Sequence, residues 1–253
     1  ARVTNTGAAA KDVSLYSLAS YHAGGEGAAA GESVVSWSGG VMESRLDDRL
    51  FYKPVPAASH WAAAPGGQAD NPWVLLNNGQ DLTDTLVSGD DVAVGFQWDL
   101  GSLAPSGSGW GGYLTAFNGF DEDAFNLGNR VDTFLAGRGA EQLLTDEETF
   151  WSDYHAVETP PAGLSADELA VYRQSTAVLK MGQVREPGAA YGQILASLPP
   201  GGWNISWPRD AAYAIVAQAH AGHHDEAKAA LQFMIDGDAG VYASYYGLSD
   251  YLI

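Results

Sequence analysis

The most chemically suggestive stretch of the sequence is WNISWPRDAAYAIV, residues 203–216. It places Trp207, Arg209 and Asp210 at the predicted start of a helix, shortly after Trp203. The partial positive charge of a helix N-terminus stabilises an aspartate but not an arginine, so helix stability alone does not explain Arg209. Carboxylate and guanidinium groups form strong, directional hydrogen bonds, and tryptophan offers a flat apolar face. This combination is typical of sugar recognition.

A purely structural role for this stretch is the alternative that composition leaves open. Arg209 and Asp210 could pair to lock the helix start to a neighbouring element, with the two tryptophans packed in an ordinary core. Adjacent helix positions point about 100° apart, so the same two side chains could also reach two sides of one small ligand.

The composition narrows the classes of ligand and partner. The chain has 253 residues and a formal net charge of −19, which argues against binding to nucleic acid or to an anionic membrane surface. A neutral ligand such as a sugar is compatible with this charge. The chain has no cysteine, which excludes disulfides and thiolate metal sites. It also has no apolar stretch of roughly 20 residues, so we predict no membrane span.

Residues 1–120 are predicted to form an antiparallel β-sandwich domain. Short alternating runs of apolar and polar residues are separated by turns rich in Gly, Asn and Ala, as in RVTNTG and DVSLYSLASYH. The chain opens within such a run and stops inside the aromatic segment SYYGLSDYLI. We therefore expect it to be part of a longer polypeptide, with the β-domain incomplete at its N-terminus.

Residues 121–163 are predicted to form a helical linker of two short helices, because the apolar period changes to that of a helix. The breaker ETPPAG at 158–163 marks the end of this linker. The predicted buried stripes of the two helices are Phe134, Leu135, Leu143, Leu144, Phe150, Trp151 and Tyr154.

Residues 164–253 are predicted to begin a helical domain that this chain does not complete. Ser165 and Glu168 have the spacing of a capping box at the start of its first helix. Two further helices with a short connection are expected to form a helical hairpin.

The two helices of the hairpin have their own start and stop signals. In the first, Ser206 is the expected N-cap, Pro208 suits the first turn, and Gly222 ends the helix. The second is expected to be capped by Asp225. The predicted buried faces are Ala212, Ile215, Val216 and Ala219 in the first helix, and Ala227, Ala230, Leu231 and Met234 in the second.

Several of these segments together resemble glycoside hydrolase family 15, which includes glucoamylases and glucodextranases. The resemblance is carried by YRQSTAVLKMGQ at 172–183, GQILAS at 192–197 and WPRDA at 207–211, followed by the hairpin that turns at Gly222. FQWDLGSLAPSG at 96–107 is similar to a segment of the family's N-terminal β-domain. The order and setting of WPRDA make it more specific than W-x-R-D alone.

The resemblance implies a fold and an activity. The fold is an N-terminal antiparallel β-supersandwich, a helical linker and the first helices of an (α/α)6 barrel. The activity is inverting, exo-acting hydrolysis of α-glucosidic bonds in an α-glucan or gluco-oligosaccharide, by a secreted or periplasmic protein without a cofactor. Trp207, Arg209 and Asp210 match residues that line the subsite for the non-reducing-end sugar. Trp203 falls where relatives often carry an aromatic residue.

The resemblance also implies that the catalytic residues are absent from this chain. The acid and base of the family are glutamates on loops well downstream of the WPRDA helix, whereas the sequence ends at Ile253. A companion chain or a missing C-terminal segment would then complete the barrel and supply both carboxyl groups.

Two other functions stay open at this point. Inverting disaccharide phosphorylases share the arrangement of sandwich, linker and barrel, although WPRDA does not suggest them. A non-catalytic carbohydrate-binding or assembly subunit would keep the Trp, Arg and Asp of the subsite and lack the glutamates. The run HAGHHDE at 220–226 could bind zinc, but its histidines and acids also suit the end of one helix and the start of the next, so we predict no metal site.

Overall fold

The computed structural model describes residues 1–23, 31–117, 124–185, 190–197 and 206–236. The chain divides into two compact units, Ala1–Thr145 (unit 1) and Asp146–Ile253 (unit 2), each with packing of its own. The predicted domain boundaries at residues 120 and 163 stay predictions.

The described part of unit 1 is mainly β-structure, and that of unit 2 is helical. The strands are β1 (Arg2–Thr4), β2 (Lys11–Ala19), β3 (Ser33–Trp37), β4 (Gly40–Arg45), β5 (Asp48–Pro54), β6 (His60–Pro65), β7 (Thr85–Leu86), β8 (Val92–Leu103), β9 (Ser108–Trp110) and β10 (Tyr113–Phe117). The helices are α1 (Pro72–Asn77), α2 (Ala124–Leu135), α3 (Ala140–Ala156), α4 (Ala166–Met181), α5 (Pro208–Ala221) and α6 (His224–Asp236). Within the residues described, no helix combines the length and apolar character needed to cross a bilayer.

Two four-stranded sheets form the sandwich of unit 1. Their strand orders are β10-β5-β4-β3 and β2-β8-β6-β7, and β1 pairs with β9 in a small separate sheet. The long pairings are antiparallel, and β6 with β7 is a parallel pair of two residues. The predicted fold class, an antiparallel sandwich followed by helices, is confirmed.

The main core of unit 1 lies between the two four-stranded sheets. Val41, Leu50 and Tyr52 contribute from one sheet, and Val94 and Phe96 from the other. Successive side chains of a strand point to opposite faces, so every second residue of β4, β5 and β8 enters this core.

Helix α2 covers the outer face of the sheet that contains β4 and β5. Met42 and Phe51 have the opposite strand parity from the core residues and pack against Leu127, Val131 and Leu135 of α2. The three helix residues recur every four positions and therefore share one face. As a result, β4 and β5 are buried on both faces.

The predicted apolar stripe of α2 and α3 is partly wrong. Leu135 and Tyr154 are buried, but Phe134 and Leu144 are exposed. Phe134 lies one position away from the stripe that runs from Leu127 to Leu135, so its ring falls outside the face that packs on the sheet.

The helix starts of unit 2 follow the sequence signals in one case and depart from them in two. At α4, the Ser165 side chain accepts from the Glu168 N–H while the Glu168 carboxylate accepts from the Ser165 N–H, which is the predicted capping box. At α5, the N-cap is Trp207, without a side-chain cap hydrogen bond, so the prediction of Ser206 is wrong by one residue. Asp225 lies in the first turn of α6 rather than at its N-cap.

The α5–α6 hairpin packs through small residues. The residues of α5 that are buried are Ala211, Ala214, Gln218 and Ala221, and those of α6 are Ala227, Ala230 and Phe233. Alanines allow close approach of the two backbones, so larger side chains such as Val216 and Leu231 lie on the exposed faces. The predicted α5 stripe is partly wrong. Ile215 packs against the hairpin core and Ala219 is half-buried, but Ala212 and Val216 are exposed, so the buried face is rotated by about one residue, or about 100°.

Gly222 forms the turn between α5 and α6, as predicted. Its φ of 100° lies in the left-handed region, which residues other than glycine rarely adopt. A Cβ atom at this position would also lie 2.5 Å from the carbonyl oxygen of Val157. Both constraints require glycine where the hairpin meets the segment after α3.

Candidate functional site

The start of α5 holds three of the four predicted site residues, Trp207, Arg209 and Asp210, within four successive positions. Trp207 is the N-cap, in extended conformation, and Pro208 follows at a position where its missing N–H costs nothing. Arg209 and Asp210 occupy the first turn, where the helix dipole favours the aspartate. Trp203, the fourth predicted residue, lies outside the described residues.

Arg209 and Asp210 pair with each other. The Arg209 Nη2 atom lies 3.5 Å from Asp210 Oδ2, and the two side chains are 83% and 42% exposed. An ion pair this exposed contributes little to stability, typically about 0–1 kcal/mol. The pairing within one turn does not support the alternative that Arg209 locks the helix to a neighbouring element. It leaves forked donors and a carboxylate acceptor side by side at the surface, beside the half-buried ring of Trp207.

Two buried polar side chains on α5 and just before it were not predicted. Ser206 and Gln218 are fully buried, and within the described part of the chain neither the Ser206 hydroxyl nor the Gln218 amide atoms have hydrogen-bond partners. A buried polar group without a partner is costly. The signal in the sequence was Gln218 itself, a polar residue at the spacing of the alanines Ala211, Ala214 and Ala221.

A second polar centre of unit 2 surrounds Glu158, which the sequence indicated only as part of a chain breaker. Its Oε1 atom lies 2.8 Å from His155 Nδ1 and 3.5 Å from His223 Nε2, and it accepts a hydrogen bond from the Thr176 hydroxyl. Arg173 Nε lies 3.6 Å from Oε2. The centre therefore joins residues of α3, of α4 and of the α5–α6 turn.

Aromatic packing completes this centre. The rings of His223 and Tyr154 are stacked, with centroids 3.8 Å apart and planes 3° apart. The Tyr154 hydroxyl donates to the carbonyl oxygen of Thr176. His223 of the HAGHHDE run is thus engaged by an aromatic ring and a glutamate.

Glu158 and Glu226 of unit 2 have lowered pKa values, which favours their charged form. Burial opposes ionisation of Glu158, but hydrogen bonds from Thr176 and His155 outweigh it and place the pKa below its ordinary value. For Glu226, burial is outweighed in the same way by Lys180, 2.8 Å away, and the pKa is again lowered. Neighbouring donors and bases in unit 2 thus hold both groups as carboxylates.

Unit 1 contains a separate cluster with the donor types of a metal site. His22, Glu32 and Glu43 each offer one ligand atom, and these atoms lie within 4.8 Å of one another. None of the three was predicted from the sequence. The sequence did contain one signal for Glu43. It lies two residues from Val41 in β4, and alternate residues of a strand point to the same face, so Glu43 faces the sandwich core.

Comparisons with known proteins find similar folds among solved structures. No known family profile and no curated protein matches the chain significantly. Solved structures do match, among them a crystal structure of bacterial glucoamylase complexed with acarbose, with a TM-score of 0.60 and 16% sequence identity. The match covers 94% of this chain and 36% of the glucoamylase chain. The chain resembles the N-terminal part of a bacterial glucoamylase.

The structural similarity to glucoamylase tests the predicted fold but not the predicted site residues. It confirms the predicted structural resemblance, at an identity where likeness shows the fold alone. The chain spans about a third of the length of the glucoamylase that it matches (36%). The roles of Trp207, Arg209, Asp210 and Trp203 stay predictions.

Proposed function

We propose that this chain is part of an inverting, exo-acting glycoside hydrolase that cleaves α-glucosidic bonds, similar to glucoamylases and glucodextranases. The observation that carries the proposal is the fold match over 94% of the chain to a bacterial glucoamylase complexed with acarbose. The exposed Arg209–Asp210 pair at the start of α5 supports it, because that pair contributes little to stability.

In this proposal the start of α5 binds the non-reducing-end sugar. Arg209 donates through its fork to paired hydroxyl groups, and Asp210 accepts from hydroxyls on another side of the ring. Trp207 provides a flat apolar face for the C–H groups of the sugar, and Trp203 is proposed as a second aromatic contact. The ligand is neutral, which suits a chain of net charge −19.

The reacting carboxyl groups come from outside this chain in the proposal. Inversion requires a general acid of raised pKa and a general base, roughly 6.5–9.5 Å apart. We assign both to the rest of an (α/α)6 barrel, supplied by a C-terminal continuation or a companion chain. The substrate is an α-glucan or gluco-oligosaccharide, and we place the protein outside the cytoplasm, in the periplasm or secreted.

The activity is tested on protein prepared in its natural, complete form. Maltose, isomaltose, trehalose and dextran are supplied as substrates, and the anomer of the released glucose is followed by NMR. We expect release of β-glucose from at least one α-linked substrate. Absence of hydrolysis of all four contradicts the proposal, and product formation that depends on phosphate indicates a disaccharide phosphorylase instead.

The sugar-binding role of Trp207 is tested separately by acarbose binding. Trp207→Ala is expected to weaken binding roughly tenfold, through loss of ring stacking. Trp73→Ala is the matched control, because Trp73 is an exposed tryptophan near the start of α1 in unit 1. Equal affinity of the Trp207 and Trp73 variants excludes stacking at the start of α5.

A non-catalytic carbohydrate-binding subunit is the second candidate. It would keep the exposed Arg209 and Asp210 at the start of α5 as a sugar-binding pair and need no reacting carboxyl groups. Natural material consisting of a single 26.6 kDa species that binds acarbose without hydrolysing any substrate supports this second function.

A further inference from the structure

Three side chains of unit 1 with metal-binding donor atoms converge from different parts of the chain. His22 follows β2, Glu32 directly precedes β3, and Glu43 lies in β4. One ligand atom from each lies within 4.8 Å of the others. The cluster thus joins the end of a strand in one sheet to two strands of the facing sheet.

The two carboxyl groups of this cluster are buried, which distinguishes them from surface acids. The Glu32 side chain is fully buried and Glu43 is among the fully buried residues of the chain, while the His22 side chain is 21% exposed. Within the described residues, His22 is the base that pairs with Glu32, and no lysine or arginine pairs with Glu43. Buried carboxylates in proteins are paired with cations or coordinate metals.

The hydrogen bonds of Glu32 hold its carboxylate in one orientation. Glu32 Oε1 lies 2.7 Å from His22 Nδ1, and Oε2 accepts from the backbone N–H of Val92 at 2.8 Å. The other imidazole nitrogen, His22 Nε2, lies 3.6 Å from Asp91 Oδ1. The imidazole is thus placed between a buried and an exposed carboxylate.

The hydrogen bonds of Glu43 hold its carboxyl group in a similar way. The Ala23 N–H donates to Oε1 at 2.6 Å, and the Tyr52 hydroxyl lies 3.0 Å from Oε2. Backbone and side-chain donors that orient ligating carboxylates are a usual part of metal sites. Both glutamates therefore already have the supporting contacts that a ligand set requires.

We propose that His22, Glu32 and Glu43 bind a divalent zinc ion that fastens the two sheets of the sandwich to each other. One imidazole and two carboxylates are donors that zinc accepts, at about 2.0–2.2 Å from the ion, with a water in the fourth position. The imidazole disfavours calcium and magnesium, which prefer oxygen ligands. A tetrahedral ion with bonds of about 2.0–2.2 Å places its ligand atoms about 3.3–3.6 Å apart, so the 2.7 Å contact between His22 Nδ1 and Glu32 Oε1 must open and the longer separations in the cluster must shorten.

A second histidine of unit 1 provides a matched control within the same chain. His60 Nδ1 lies 3.0 Å from Asp84 Oδ2, and His60 Nε2 lies 3.6 Å from Asp99 Oδ2. These distances resemble those of His22, but the His60, Asp84 and Asp99 side chains are 38%, 42% and 42% exposed. Because water already solvates these carboxylates, we do not expect this cluster to bind zinc tightly.

The experiment is a calorimetric zinc titration of the complete chain after treatment with a chelator. We expect one zinc ion per chain in the wild type and in His60→Gln, with weakening of more than about tenfold in His22→Gln and Glu43→Gln. Zinc should also raise the unfolding temperature of the wild type and of His60→Gln. Absence of saturable binding, or equal affinity in His22→Gln and the wild type, overturns the proposal.

A further variant and X-ray absorption spectroscopy test whether zinc binds at the HAGHHDE run instead. His224→Gln should bind zinc like the wild type, and loss of binding in this variant overturns the proposal. If the Glu43 variant does not fold, X-ray absorption of the zinc-loaded wild type decides. One imidazole nitrogen with oxygen neighbours supports the site, and two or more imidazoles or oxygen alone contradict it.

Discussion

Glu43 in unit 1 and Glu158 in unit 2 are both buried, yet their pKa values move in opposite directions. Burial, together with the neighbouring Glu32, raises the pKa of Glu43 to about 7, in spite of the hydrogen bond from the Ala23 N–H. Burial also opposes ionisation of Glu158, but the hydrogen bonds from Thr176 and His155 prevail and the pKa is lowered.

The two carboxyl groups differ in their neighbours. Glu158 is surrounded by donors and by basic groups, so its negative charge is compensated within unit 2. Glu43 faces a second carboxylate, with one imidazole nearby. A buried carboxylate surrounded by donors and bases stabilises the fold that contains it. A buried carboxyl group that faces another carboxylate instead requires a proton or a metal ion.

The largest effect that tests this comparison is expected from Glu158→Ala. Removal of the carboxylate leaves His155 and Thr176 without their shared acceptor and half-exposed Arg173 without its partner, and should destabilise unit 2 by about 2–3 kcal/mol. Urea dependence of hydrogen exchange at α4 amides measures this unit specifically. Glu148→Ala, an exposed glutamate of α3, serves as control and should be nearly neutral. Similar stability of the two variants would show that the Glu158 centre does not hold unit 2 together.

A smaller effect is expected from pH, through His223. Burial lowers the pKa of His223 below its ordinary value, and His155 lowers it as well. Glu158 and Glu226 raise it, but the lowering effects prevail. The unfolded chain therefore takes up a proton near pH 6.5 that folded His223 does not bind. Unit 2 should lose stability as pH falls from 6.5 to 5, by at most about 1.4 kcal/mol per pH unit.

The variant that isolates this effect is His223→Phe, which keeps a ring stacked on Tyr154 and removes the titration. The pH dependence of unit 2 between 6.5 and 5 should become shallower, as measured by exchange of α4 amides. His60→Asn is the control, because it removes a histidine of unit 1 and should leave the slope of unit 2 unchanged. An unchanged slope in His223→Phe would assign the acid sensitivity to another group.

The smallest effect is expected from Glu43→Gln in chelator-treated protein. The Tyr52 hydroxyl has one proton but lies near two acceptors, Glu43 Oε2 at 3.0 Å and the Tyr21 carbonyl oxygen at 3.2 Å. A glutamine amide can donate to the Tyr52 oxygen while Tyr52 donates to Tyr21. At pH 8 the variant should therefore match the wild type within about 1 kcal/mol or exceed its stability. A large loss, similar to that of Glu158→Ala, would contradict the contrast between the two glutamates.

The sequence predicted the order of elements better than it predicted which faces are buried. Alternation and turn residues identified the sandwich, and the Ser165–Glu168 capping box identified α4. The face of α5 was partly wrong because Ala211, Ala214 and Ala221 are buried, whereas Val216 is exposed. Tertiary packing decides between two such faces, and periodicity does not record it.

The candidate site was predictable where motif and position coincide. WPRDA placed Trp207, Arg209 and Asp210 at a helix start, and the structure brings them into one turn. The Glu158 and Glu43 centres were missed because each depends on residues far apart in sequence. His223 is distant from Glu158 along the chain, and Glu32 meets Glu43 across the sandwich.

The proposed function depends most directly on Asp210, whose exposed pair with Arg209 contributes little to stability. The deciding measurement is kcat/KM on maltose and isomaltose for Asp210→Asn in the complete protein, beside Asp225→Asn, an exposed first-turn aspartate of α6. We expect a loss of roughly 10- to 100-fold for Asp210→Asn, with unchanged unfolding temperature, and wild-type kinetics for Asp225→Asn. Wild-type kinetics in both variants would contradict a sugar site at the start of α5.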